Sequence, residues 1–133
     1  MELTPSDPGA RQLIQSYGAD GFTIAGRRHD GAVLVFPDHT LPWTIRWALS
    51  SPGAAIGELA EADLAAVLSA DPPVEILLIG CGEKAEPVAP DLRAKMRQAG
   101  VVIEATDTGA ACRTFNVLVI ENRRVGAALI PVP

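Results

Sequence analysis

The stretch from Val74 to Glu104 constrains this chain most. It opens with Val74 to Ile79, a nearly continuous apolar run of the kind found in strands covered on both faces. Pro90 follows, suited to the first turn of a helix, with Leu92, Met96 and Ala99 along one face and Gly100 as a C-terminal stop. Val101 to Glu104 reads as the next strand. A strand, a helix and a strand within about thirty residues form a parallel crossover, which is almost always right-handed. The chain is therefore expected to be α/β.

The rest of the pattern is compatible with that class. Ala60, Leu64, Val67 and Leu68 recur at helical spacing, with Glu61 and Asp63 where a helix dipole favours acids, and Asp71-Pro72-Pro73 ends the segment. Gly21 to Gly26 and Ala32 to Phe36 are short apolar segments around Arg27-Arg28-His29-Asp30-Gly31, which predicts an N-terminal β-hairpin turning at Asp30-Gly31. Trp43 to Leu49 is read as a further strand, shortened by Pro42 and the Ser50 to Gly53 cluster. Trp43 and Trp47 would then lie on one side, as core or, if exposed, as an interface. From Thr108 to Asn122 the signals conflict. Thr114, Phe115, Val117, Val119 and Ile120 favour a strand, whereas Ala111, Phe115, Leu118 and Val119 share a helical face that Asp107 or Thr108 could cap and Asn122 could end. Val125 to Ile130 is the last strand. Residues 1–15 are read as a tail and residues 16–133 as a single domain, with no internal repeat or long linker between them.

Charge and cysteine usage narrow the function. Eleven Lys and Arg against sixteen Asp and Glu leave −5, so no basic footprint exists for nucleic acid or anionic lipid. The apolar runs fall far short of the ~20 residues a membrane span needs, and the start, MELTPSDPGAR, has no signal-peptide or transit-peptide pattern. A cytoplasmic protein without direct membrane insertion is expected. Two cysteines and two histidines, scattered, supply neither a disulfide framework nor a zinc site, and no metal or cofactor is expected.

Residues 107–118, Asp107-Thr108-Gly109-Ala110-Ala111-Cys112-Arg113-Thr114-Phe115-Asn116-Val117-Leu118, followed by Glu121-Asn122-Arg123-Arg124-Val125, carry a family likeness. They resemble the small α/β family that includes the mitochondrial respiratory complex I assembly factor 3 and the adipogenesis-associated domain proteins, with bacterial members of unknown function. Ile79-Gly80-Cys81-Gly82, Ala99-Gly100-Val101 and Val33 to Pro37 extend the likeness over about Tyr17 to Pro131. The resemblance implies a single three-layer domain with a central mixed sheet, a helix over Ala110 to Glu121 and a final strand antiparallel to its neighbours. Two departures stand out. Cys81 replaces the family's usual Thr between the glycines, and Asn122 replaces a Gly, a mild change because Asn also tolerates the left-handed conformation.

Three constellations carry chemistry. Gly80-Cys81-Gly82-Glu83-Lys84-Ala85 has the outline of a dinucleotide fingerprint with Glu104 about twenty residues on, but Glu86 to Pro90 delays the helix, which favours a plain tight turn. Cys112, Arg113, Thr114 and Asn116 lie near a helix start, where a thiol is activated and an anion finds free amides; the competing reading is a small buried hydrophobe. Ligands in open α/β sheets bind beyond the carboxyl ends of strands. That rule predicts one cleft lined by Gly80, Cys81, Gly82, Asp107, Thr108, Cys112, Arg113, Thr114 and Asn116. Asp107, Thr108 and Asn116 equally suit capping roles. Arg123 and Arg124 read as a solvated connection, with Asp107 or Glu104 as candidate ion-pair partners.

Without a complete acid, base or metal set, catalysis is disfavoured. The resemblance implies a protein-binding assembly helper with an unidentified protein partner. The alternative is a small-molecule or anion site, or an enzyme, using Cys112 and the Gly80 to Gly82 loop.

Overall fold

The computed structural model describes residues 11–44 and 56–132. Strands β1 (Ile14–Tyr17), β2 (Gly21–Ile24) and β3 (Arg27–Asp30) form a small antiparallel sheet. Strands β4 (Val33–Val35), β5 (Thr40–Pro42), β6 (Ile76–Gly80), β7 (Val102–Thr106) and β8 (Val125–Leu129) form the central mixed sheet, in the order β5-β4-β8-β6-β7. A 3₁₀ turn at Glu61–Leu64 leads into α1 (Ala65–Leu68), followed by α2 (Pro90–Gln98) and α3 (Thr108–Ile120).

The three layers follow from two crossovers. From β6 the chain passes through α2 to the parallel β7, then returns through α3 to β8 on the other side of β6. Right-handed crossovers taken in opposite directions put their helices on opposite faces of a sheet. Accordingly, Leu92 and Met96 of α2 pack with Leu77, Ile79, Ala128 and Ile130 on one face. Ala111, Cys112, Phe115 and Val119 of α3 pack with Leu78, Ala127 and Leu129 on the other, together with Ile14, Phe22 and Ile24 of the small sheet. The alternation is the strand period of two, and it explains why the central strands are apolar at every position.

The ends of the elements obey local chemistry. Pro90 opens α2 and Gly100, at φ +89, follows its end. Asp107 caps α3 by accepting from the Ala110 amide at 3.1 Å, and Asn122, at φ +62, terminates it. The helical reading of this segment prevails because its apolar stripe covers the sheet and its strand-favouring Val117 and Ile120 stay exposed. The Asp63 carboxylate accepts from the Ala60 amide at 2.9 Å and holds the 3₁₀ turn.

Several expectations need correction. The hairpin joins β2 to β3, not Gly21–Gly26 to Ala32–Phe36. Its turn is Ala25-Gly26, both at positive φ (51 and 79), the form whose twist suits a two-residue hairpin. The polar Arg27 to Asp30 is a strand, and Val33–Val35 crosses into the central sheet. The final strand is antiparallel to β4 alone. Reached from β7 through a helix, it runs parallel to β6, as a crossover requires. Strand β1 begins at Ile14, inside the expected tail. Trp43 lies after β5 and is buried, its indole N–H donating to the Asp63 carbonyl at 2.8 Å. Most of the strand expected over Trp43 to Leu49, with Trp47, falls outside the described residues.

Candidate functional site

At the carboxyl ends of β6 and β7, the segment containing Gly80, Cys81 and Gly82 is locked to the start of α3. Thr108 is fully buried; its hydroxyl donates to the Ile130 carbonyl at 2.7 Å and accepts from the Gly82 amide at 2.9 Å. The Thr108 amide donates to the Gly82 carbonyl and the Cys81 amide to the Thr106 carbonyl. The Cys81 and Gly82 amides, which a phosphate cradle would turn toward its ligand, are thus bonded within the chain. A methyl group on Gly80 would lie 2.9 Å from Leu129 Cδ2 and 3.0 Å from Thr108 Cα, so this position needs glycine for close approach. No helix follows until Pro90.

The two thiols enter different cores. Cys81 joins the α2 side, its Sγ 3.7 Å from the Ile79 carbonyl, and burial pushes its pKa up. Cys112 joins the α3 side; burial pushes it from 9.0 up to about 12, against the pull of Arg113. Both therefore remain protonated at neutral pH. They belong to different core clusters.

The remaining residues expected here divide. Asp107 caps α3. Asn116 pairs with the backbone of β1, accepting from the Ile14 amide at 2.8 Å and donating to its carbonyl at 2.9 Å. Thr114 is exposed. Arg113 lies beside Gly109 and Tyr17, in a shallow groove that Ile14–Tyr17, Cys112 and Asn116 also line. Neither Gly80 nor Thr108 lines it.

A second concavity, about 350 Å³ in volume, opens at the opposite end of the sheet. Strand order creates it. β8 and β6 begin at this end, and the antiparallel β4 finishes there, so three connections distant in sequence converge. The floor is apolar, with Phe36, Pro37, Pro73, Val74, Val119 and Val125. Arg11, Arg123 and Arg124 line it, with Asp38, His39 and Asp71. His39 stacks on Phe36 with ring centroids 4.6 Å apart, and its Nδ1 is 2.6 Å from the Asp38 carboxylate. Arg11 donates to the neutral Asn122 side chain at 2.7 Å. Arg124 is 3.9 Å from Glu75, not from Asp107 or Glu104, and the Arg123 side chain makes no hydrogen bond or ion pair among the described residues.

Sequence reasoning passed over this end because Asp71-Pro72-Pro73 read only as a helix stop, while Phe36 and Val74 read as parts of two separate apolar strands. The available signal was Arg123-Arg124 directly after the helix-ending Asn122. Arg113 lies about 10 Å along the axis from the end of α3 and lines the other groove, so the arginines of this block do not line one concavity. Among the described residues no group of His, Cys, Asp and Glu could hold a metal ion, and no helix is long and apolar enough to cross a membrane.

Comparison with known proteins gives this arrangement a family. Residues 14–130 match the model of a family described as protein of unknown function, DUF498/DUF598. A mouse protein named NADH dehydrogenase (ubiquinone) 1 alpha subcomplex assembly factor 3 is 36% identical over 133 residues, covering 100% of this chain and 68% of the mouse protein. An uncharacterised protein of Rhodobacter capsulatus is 35% identical, covering 98% of this chain and 95% of that protein. The crystal structure of a Bartonella henselae protein described as an outer membrane protein superposes with a TM-score of 0.79 at 30% identity, covering 96% of this chain and 100% of that one. On the family match and the 36% identity across its whole span, the chain belongs to the DUF498/DUF598 family.

Proposed function

We propose that this chain is a protein-binding helper in the assembly of a multi-subunit complex, with a respiratory NADH dehydrogenase as its client. The observation that carries this reading is the 36% identity to the mouse assembly factor over the entire chain. The buried chemistry is consistent with it. Cys81 and Cys112 serve the two cores, and Asp107, Thr108 and Asn116 hold backbone groups, so the most distinctive block maintains a scaffold. A bacterial, cytoplasmic setting is part of the proposal, supported by the match over 95% of the Rhodobacter capsulatus protein.

The alternative, a small-molecule or anion site around Cys112 and the Gly80 to Gly82 loop, lacks comparable support. The amides it would use are taken, and its thiol is raised to about 12. Native electrophoresis of the purified chain mixed with assembly intermediates of the client tests the helper reading. The chain is expected to comigrate with incomplete subcomplexes and to be absent from the finished enzyme. Comigration with neither, when both are present on the gel, overturns it.

A further inference from the structure

We propose that the outer edge of β7 is a latent pairing site for a second copy of this chain, which Arg93 and Glu104 keep closed so that the chain stays monomeric. Among the described strands, β1, β3, β5 and β7 form the edges of the two sheets. An open strand edge is a template for pairing with another chain. Three of these edges are blunted by their own residues. The Asn116 side chain occupies the Ile14 backbone of β1, β3 carries Arg27, Arg28 and Asp30, and β5 has three residues ending in Pro42. β7 differs. The run from Val101 to Thr106 favours strands, has no Pro or Gly and carries one charge, the composition of a self-pairing segment. Val102 is 43% exposed on it.

The hydrogen bonds of β7 decide which groups a second copy would need. The Val102 amide donates to the Glu75 carbonyl and the Cys81 amide to the Thr106 carbonyl. In the parallel ladder, Val102, Glu104 and Thr106 therefore turn their backbone groups toward β6, and Ile103 and Ala105 turn theirs outward. Arg93 of α2 donates through Nη1 to that outward Ile103 carbonyl at 2.7 Å. A copy related by a two-fold axis would lie antiparallel along this edge, with the same residues on both sides. Centred on Glu104, Ile103 pairs with Ala105 of the second copy, which uses both outward residues of each chain. That register needs the carbonyl held by Arg93 and sets two Glu104 side chains opposite each other, a like-charge pair. Centring on Ile103 needs the same carbonyl in both chains. Centring on Ala105 avoids Arg93 but leaves a single hydrogen-bonded residue pair, which does not offset the freedom lost on association.

The test uses the full chain with Arg93→Met, which keeps an apolar stem and removes the donor, and Glu104→Thr, followed by sedimentation velocity from micromolar to millimolar concentration. The parent should stay monomeric. The double variant should self-associate at least about tenfold more tightly than the parent, with each single variant between them. Hydrogen exchange locates the contact: the Ile103 and Ala105 amides should exchange faster than that of Leu77 in the parent and become protected in the associated variant. Exchanging a charge tests the register. Arg93→Met mixed with isotopically labelled Arg93→Met/Glu104→Lys should give more heterodimer than either homodimer by native mass spectrometry, because Glu then faces Lys across the axis. Arg93→Leu replaces Arg93→Met throughout if the latter does not fold. The proposal is overturned if the double variant, folded by circular dichroism, stays monomeric at millimolar concentration, or if the parent itself associates with those two amides protected. Association of the variant without their protection, or a mixture with no excess of heterodimer, overturns it as well.

Discussion

Thr108 shows how much of the block around α3 is structural. One buried hydroxyl satisfies a donor on the Gly80 to Gly82 segment and an acceptor beyond β8, joining three pieces of chain. Thr108→Val keeps the shape and strands both groups, so we expect a loss of about 2 to 4 kcal/mol by urea unfolding, with Thr108→Ser retaining most of the stability. The cysteines make a second, pH-dependent prediction. The Cys112 pKa is raised in the fold from 9.0 to about 12, so its contribution is present below pH 9.0 and is lost as pH rises toward about 12. The urea midpoint should therefore fall on going to alkaline pH, and fall less in Cys112→Ala. A thiol reagent at neutral pH should label neither cysteine in the native protein and both in urea. Cys112 was legible as either an activated thiol or a buried hydrophobe, because sequence gives its position on a helix but not which core it enters.

At the scale of elements, legibility followed the strength of local signals. Strand β6, helix α2 and strand β7 were readable because Pro90, Gly100 and uninterrupted apolar runs mark them independently. The hairpin was misread for a physical reason. Asp30-Gly31 is the stronger sequence signal for a turn, whereas the actual turn places Ala25, a residue with no preference for positive φ, at φ 51. Strand β3 hides as well, since its mostly exposed residues show no apolar alternation. Ala25→Asn should relieve the strained turn and raise stability by roughly 0.5 to 1 kcal/mol, read as a higher thermal midpoint. Attachment of the small sheet depends on the Asn116 amide facing Ile14. Asn116→Leu should cost about 1 to 3 kcal/mol and speed hydrogen exchange at Ile14 ahead of the central strands.

Over the whole molecule, what sequence could not show was strand order. The rule that ligands sit beyond carboxyl ends drew attention to Gly80 and Thr108, where side chains and amides are already bonded to one another. A second concavity with an apolar lining lies at the other end, built from residues 36–39, 70–74 and 119–125. Those segments meet only because β8 inserts between β4 and β6. Composition was similarly coarse: a net −5 describes the chain, while the fold gathers Arg11, Arg123 and Arg124 at one end beside Asp38 and Asp71. The proposed helper role is tested most directly by deletion of the gene in a host that makes a respiratory NADH dehydrogenase. Blue-native electrophoresis should then show less assembled NADH dehydrogenase and an accumulation of incomplete subcomplexes, both reversed by restoring the chain. An unchanged amount of fully assembled, active complex in the deletion strain would contradict the account.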